Sequence, residues 1–228
     1  MIEFLFLDLD DTILDFHKAE HLALSKTFRA FGLDPTQQTL DRYTAINHAH
    51  WQRLERKELT REQVVVGRFR QLFEEKGITA DPEAVALQYE DFLSVGHYFL
   101  PGAEEALQSL SKKYKLYLAS NGTAKVQAGR LASANISRYF QEIFVSQQIG
   151  ADKPSIEYFE RCAAKIPGFD PQKALIAGDS LTSDIQGGIN AGMTTVWVNY
   201  RGYPPREDIV ADYEIGSIAQ LEELLETL

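Results

Sequence analysis

The chain opens with an unbroken apolar run, Phe4-Leu5-Phe6-Leu7, that ends abruptly in acids. A short run of this kind predicts a strand buried on both faces of a parallel sheet. From His17 to Gly96 the texture changes to helical spacing with no convincing strand. Leu22, Leu24, Phe28 and Phe31 suggest one apolar helix face, stopped by Gly32. A second helix is expected near Thr39 to Leu54. Thr60-Arg61-Glu62-Gln63 reads as a capping box that opens a third, which Gly77 ends. Asp81-Pro82-Glu83 reads as an N-cap followed by proline at the first helical position of a fourth. From Pro101 onward helices and strands alternate. Strands are expected at 115–119, 143–145, 174–177 and 195–198, with helices at 103–113, 125–134, 155–165 and 184–191. Tyr213 to Ser217 reads as an edge strand, and Ile218 to Leu225 as the closing helix. This alternation predicts an α/β fold, a doubly wound, mostly parallel sheet with helices on both faces. Residues 1–15 and 97–228 would form the core, and residues 16–96 an inserted α-helical domain.

Composition narrows the function classes. The net charge of −10 argues against nucleic acid or an anionic membrane as partner. The charge bears less on a small phosphorylated metabolite, because a bound metal and a few lysines can reverse the local field. The single cysteine, Cys162, excludes an internal disulfide and fits a reducing compartment. No apolar run approaches a membrane span, and the acidic N-terminus does not resemble a signal peptide. The cytoplasm is the expected location.

Chemistry-bearing residues recur just after the expected strands. Asp8, Asp10 and Thr12 follow the first, and Ser120-Asn121-Gly122 the second. Lys153-Pro154 lies beyond the third, and Gly178-Asp179-Ser180 leads to Asp184 after the fourth. In a parallel sheet these ends share one edge, where ligands bind. Any one of these groups alone would serve as well as a helix cap or a solvated surface residue. Two acids directly after a strand are harder to assign to capping. Carboxylates held that close call for a cation or a shared proton, so a divalent metal is expected.

These motifs resemble those of the haloacid dehalogenase-like hydrolase superfamily. Asp8-Leu9-Asp10-Asp11-Thr12 matches its Asp-x-Asp-x-Thr motif, Ser120 its Ser or Thr after a strand, Lys153 its lysine, and Asp179 with Asp184 its acidic pair. The insert resembles the helical cap of one subfamily. Within that group, the stretches 8–16, 120–122, 144–146 and 178–185 are most similar to bacterial pyrimidine 5′-nucleotidases.

The resemblance implies phosphate-monoester hydrolysis through an aspartyl-phosphate. Asp8 would be the nucleophile, and Asp10 the acid and then the base. Mg²⁺ would be held by Asp8, the backbone carbonyl of Asp10, and Asp179. Ser120, the Asn121 N–H and Lys153 would bind phosphate. Thr12 and Asp184 would support the site, while Asp11 is set aside. True dehalogenases of the superfamily lack an acid at the place of Asp10, and a phosphonatase would need a cap lysine; Lys18 is read as a solvated helix residue. The expected substrate is a pyrimidine nucleoside monophosphate. The alternatives are a phosphoglycolate or general sugar-phosphate phosphatase and, outside enzymes, a catalytically silent phosphometabolite-binding protein. Phe16, Tyr43, His48, Trp51 and Phe69 could stack a base, and Arg53 or Arg68 could contact a phosphate or carbonyl, but core packing for the aromatics and solvation for the arginines is the favoured reading of each. His17 is read as a polar residue at a helix start.

Overall fold

The computed structural model describes residues 1–228. Strand β1 (Phe4–Leu7) is followed by helices α1 (Phe16–Ala30), α2 (Gln37–Glu55), α3 (Arg61–Lys76) and α4 (Pro82–Leu93). Then come α5 (Ala103–Lys113), β2 (Lys115–Ser120), α6 (Ala124–Ala134), β3 (Glu142–Val145), α7 (Ser146–Ile149), α8 (Ile156–Ala163) and β4 (Ala174–Gly178). The chain ends with α9 (Gln186–Ala191), β5 (Thr194–Val198), β6 (Tyr213–Ile215) and α10 (Leu221–Leu225). It separates into two compact units, residues 1–16 with 97–228, and residues 17–96. No helix is long and apolar enough to cross a membrane.

The first unit is built on one six-stranded sheet of order β3-β2-β1-β4-β5-β6, with every neighbouring pair parallel. Side chains alternate across it. Leu5, Leu7, Leu116, Leu118, Leu175 and Val196 join α5, α6 and α10 on one face. Phe4, Phe6, Tyr117, Phe144 and Ile176 join α8 on the other. Both faces of β1 are covered, which explains its continuous apolar run. The strand order reverses between β1 and β4, the place where a doubly wound sheet opens a crevice at its carboxyl ends. Asp8 and Asp179 directly follow those two strands.

The second unit is entirely helical. Thr60 and Gln63 form the expected capping box on α3, and Gly77 ends that helix in the left-handed region. Asp81 caps α4 with Pro82 at its start. One expectation fails on α1: Leu22 and Phe31 are 39% and 37% exposed. At 100° per residue Leu22 lies roughly 160° from Leu24, whereas Leu24 and Phe28 lie roughly 40° apart. The inward face is Ala19, Glu20, Ala23, Leu24, Thr27 and Phe28. Phe31 lies past the end of the helix.

The interior of this unit assigns several of the base-stacking candidates to packing. Tyr43, Phe69 and Tyr89 are fully buried, with ring centroids 4.8–5.5 Å apart. Arg68 is buried against their faces, and its Nη1 donates to Asn47 Oδ1 at 2.8 Å. Asn47 in turn donates to Glu20 at 2.7 Å, and Thr44 donates to the other Glu20 oxygen at 2.6 Å. Tyr43, Phe69 and Arg68 therefore hold the helices together rather than face a ligand. A buried arginine needs such acceptors and ring faces because its charge cannot be shed. His48 is exposed, and Arg53 is exposed beside Glu58 at 3.4 Å. Trp51 is half-buried under Arg61, and Lys18 is exposed.

Two further elements differ from expectation. Residues 181–185 form a wide π turn before α9, so Asp184 sits in the turn and not in a regular first helical turn. The loop expected between β3 and Lys153 contains the one-turn helix α7.

Candidate active site

Asp8 continues β1, its N–H donating to Ala177 O at 3.0 Å. The chain then folds into a tight turn in which the Ile13 and Leu14 N–H groups both return to Leu9 O. Asp11 occupies the left-handed region at φ 54°, a conformation Asp tolerates better than most residues. Its carboxylate accepts from the Phe16 N–H and from Arg201, both at 3.0 Å. The turn is thus tied to the start of α1 and to the β5–β6 loop. Thr12 is fully buried within it.

Lys153 is the electrostatic centre. It is 1% exposed, and its ammonium donates to Asp8 Oδ1 at 2.8 Å, Asp184 Oδ1 at 2.6 Å and Ala119 O at 2.6 Å. An ammonium has three protons, so this set uses all of them. Its backbone is fixed as well: Lys153 N–H donates to Asn121 Oδ1, and Asn121 Nδ2 donates to Lys153 O, both at 2.9 Å. The Asn121 side chain is therefore a clamp on the lysine loop, a role its sequence position did not suggest. Asp184 is held from its other side by the Ser180 N–H at 3.1 Å. Gly178 makes that approach possible, because a Cβ there would lie 2.2 Å from Asp184 Oδ2.

Burial disfavours the charge on Lys153, yet Asp184 and Asp8 outweigh it and hold the ammonium above its ordinary range. Burial, with Asp184 and Asp10 nearby, pushes Asp8 up to about 8 despite the opposing lysine. Asp179 is half-buried beside them. Removal from bulk water, then the charges of Asp8, Asp184 and Asp11, raise it well above the usual carboxylate range. Ligand oxygens of Asp8, Asp179 and Asp184 lie within 4.8 Å of one another. Three carboxylates against one ammonium leave a formal excess of two negative charges, which a divalent cation would balance. The all-oxygen donor set suits a hard ion such as Mg²⁺. Asp184 already spends both oxygens on Lys153 and Ser180, so Asp8 and Asp179 are the better-placed ligands.

Ser120 ends β2 and is 1% exposed. Its Oγ accepts from the Gly122 N–H at 3.1 Å and from Gln127 Nε2 at 2.7 Å. With both lone pairs occupied, the hydroxyl keeps its proton for donation. Gln127 and Arg130 also reach Asp10. Gln127 Nε2 lies 2.7 Å from Asp10 Oδ2, and Arg130 Nη1 donates to Asp10 Oδ1. Neither residue belongs to the motifs that follow the strands. Their signal was positional: 127, 130, 131 and 134 form the inward row of α6, and two polar residues stand where apolar ones belong.

The structure thus brings Asp8, Lys153, Asp184 and Asp179 into one cluster. Asn121 and Gln127 link Lys153 and Asp10 to the end of β2. The chain matches the family model described as "Haloacid dehalogenase-like hydrolase" over residues 5–198. It is 37% identical over 225 residues to the pyrimidine 5′-nucleotidase PynA of Streptococcus pneumoniae, covering 98% of this chain and 95% of that protein. It is 27% identical to the pyrimidine 5′-nucleotidase YjjG of Escherichia coli, covering 98% and 97%. The crystal structure of the Bacillus subtilis HAD-hydrolase YfnB bound to magnesium superposes with a TM-score of 0.93 at 38% identity, covering 98% of both chains. The L-2-haloacid dehalogenase of Xanthobacter autotrophicus shares the fold, with a TM-score of 0.80 at 15% identity and full coverage of both chains. On its motifs, its fold and a family match that spans most of its length, the chain belongs to the haloacid dehalogenase-like hydrolase family.

Proposed function

We propose that the protein is a Mg²⁺-dependent phosphatase that hydrolyses phosphate monoesters through an aspartyl-phosphate on Asp8. We assign its substrates to the pyrimidine nucleoside 5′-monophosphates. The observation that carries the chemistry is the unequal treatment of two neighbouring carboxyls. Asp8 is enclosed against Lys153, whereas Asp10 is 28% exposed at the side chain and held by neutral and cationic donors. Such a pair divides naturally into a nucleophile and a proton carrier. The substrate class rests on the relatives named pyrimidine 5′-nucleotidases, whose likeness extends over 98% of this chain.

Asp8 attacks phosphorus in line, and the bond to the ester oxygen breaks as Asp10 gives that oxygen its proton. Asp10 then takes a proton from water, which attacks the acyl-phosphate, releases inorganic phosphate and restores Asp8. The Ser120 hydroxyl and the Asn121 N–H hold the phosphoryl oxygens, and the charge of Lys153, whose protons are given to Asp8, Asp184 and Ala119 O, offsets theirs. Mg²⁺, held by Asp8, Asp179 and the Asp10 carbonyl, would keep Asp8 ionised and offset phosphate charge. The magnesium in the YfnB structure supports this choice of metal. Dehalogenation is the weaker reading, because a departing halide has no use for the proton of Asp10.

The test is phosphate release from nucleoside monophosphates, sugar phosphates and phosphoglycolate, with Mg²⁺, for wild type and Asp8→Asn. UMP, dUMP or dTMP should lead by well over tenfold in kcat/KM, about 1.4 kcal/mol or more in transition-state binding. Asp8→Asn should be inactive. A flat panel, or a lead by sugar phosphates, would remove the nucleotidase assignment and leave the phosphatase chemistry.

A further inference from the structure

We propose that Gln127 and Arg130 are positioning residues that orient the Asp10 carboxyl for proton transfer; the proposal rests on the acid–base role given to Asp10 above. The two side chains stand three residues apart on the inward row of α6 and are 1% and 0% exposed. Together they hold both Asp10 oxygens: Gln127 Nε2 meets Oδ2 at 2.7 Å, and Arg130 Nη1 donates to Oδ1. Two donors on two oxygens set the carboxyl plane, which a single contact would leave free to rotate. Each carboxyl oxygen has two acceptor directions, so this arrangement still leaves one for the transferred proton.

The Gln127 amide has two hydrogens and sends the second to Ser120 Oγ at 2.7 Å. Ser120 Oγ also accepts from the Gly122 N–H at 3.1 Å, so it keeps a donor when Gln127 is replaced, whereas Asp10 Oδ2 loses its own. The approach of Gln127 is built into the backbone, since a Cβ at Gly122 would lie 2.3 Å from Gln127 Nε2. Arg130 is steadied on its other side by the Phe16 ring, 5.6 Å from guanidinium carbon to ring centroid. Such enclosure is costly for an arginine, and its ion pair with Asp10 offsets part of that cost.

The experiment compares two substrates that differ in their need for a proton. The alkoxide of a nucleoside monophosphate must be protonated as it leaves, whereas 4-nitrophenolate leaves without help. kcat/KM reports steps up to phosphoryl transfer. In Gln127→Met it should fall by about tenfold or more for UMP, within the range of a misplaced catalytic group. For 4-nitrophenyl phosphate it should stay within about threefold of wild type, while kcat falls because Asp10 must still activate water. Gly122→Ala, which pushes Gln127 aside, should give the same split. Arg130→Lys should recover activity on UMP relative to Arg130→Met; should the methionine variant fail to fold in a thermal melt, the Gln127 and Gly122 variants decide alone. A loss equal for both substrates, or no loss, in folded Gln127→Met overturns the proposal. Asp10→Asn is the control. If it shows the split and Gln127→Met does not, positioning fails and the acid–base reading stands. If Asp10→Asn shows no split, the acid–base reading fails and this proposal with it.

Discussion

Replacing Lys153 with methionine gives a demanding test of the charge arrangement. The ammonium makes three short hydrogen bonds, at 2.8, 2.6 and 2.6 Å, two of them to carboxylates. At about 1.5–3 kcal/mol for each bond to a charged group, the gross loss is about 5–9 kcal/mol. Against it stand the desolvation of the lysine and about 2 kcal/mol of side-chain entropy. A net loss of about 3–5 kcal/mol is expected, the range for breaking a buried ion pair. For a chain of this size that lowers Tm by roughly 6–20 °C. The loss must also depend on pH. A carboxyl whose folded pKa is raised keeps its proton in the fold; the stability this confers is complete below the unfolded value and is lost as pH rises towards the folded one. Asp8 already sits at about 8 with the lysine present. Without it Asp8 rises further; wild type and variant then lose stability alike up to about pH 8, above which the wild type levels off and the variant does not, so the deficit should grow between pH 7 and pH 9. Urea unfolding with a chelator present would measure this in a Trp51→Phe background. Trp197, buried in β5 with its indole N–H on Asp179 O at 2.8 Å, then reports the first unit alone. A deficit below about 1 kcal/mol, or one equal at both pH values, refutes the reasoning.

Three further outcomes follow from the same geometry. Mg²⁺ should raise Tm in differential scanning fluorimetry, and more at pH 8 than at pH 5, because at pH 5 it competes with the protons held by Asp8 and Asp179; a shift that shrinks with pH counts against the carboxylate cluster as the binding site. Gly178→Ala must displace Asp184, whose Oδ2 would lie 2.2 Å from the new Cβ, and should cost about 1–3 kcal/mol with a hundredfold or greater loss of turnover; wild-type kcat would show that Asp184 does not govern Lys153. Asn121→Ala removes both 2.9 Å bonds to the Lys153 backbone and should cost about 1–2 kcal/mol, with a higher KM for phosphate esters, checked by chemical unfolding and steady-state kinetics.

Much of the architecture was legible in the chain because local periodicity reports burial directly. Phe4 to Leu7 could be continuous only if both faces were covered, and they are. Thr60, Gly77 and Asp81 marked helix ends through backbone groups that only nearby residues can satisfy. Periodicity failed at Leu22 because its angle around the helix sets it opposite Leu24 and Phe28. It was also blind to Tyr43, Phe69 and Arg68, since an aromatic or arginine in a helical pattern reads the same whether it faces a ligand or a neighbouring helix.

The site divides along the same line. The order of the strand-end acids, Ser120 and Lys153 was enough to name the family, because each motif follows its own strand in sequence, Lys153 after the one-turn helix α7. Which groups meet was decided only by the tertiary fold. Asp8 and Lys153 are separated by 145 residues, and Asp10 and Arg130 by 120. The parallel register of β1 with β2 and β4 brings their following loops to one edge. Sequence spacing carries no information about such distances, since a crossover of any length returns to the same edge. The chain by itself therefore determined the elements and the repertoire of chemical groups. The fold decided their pairing, and with it which carboxyl faces a lysine and which is gripped by a glutamine and an arginine.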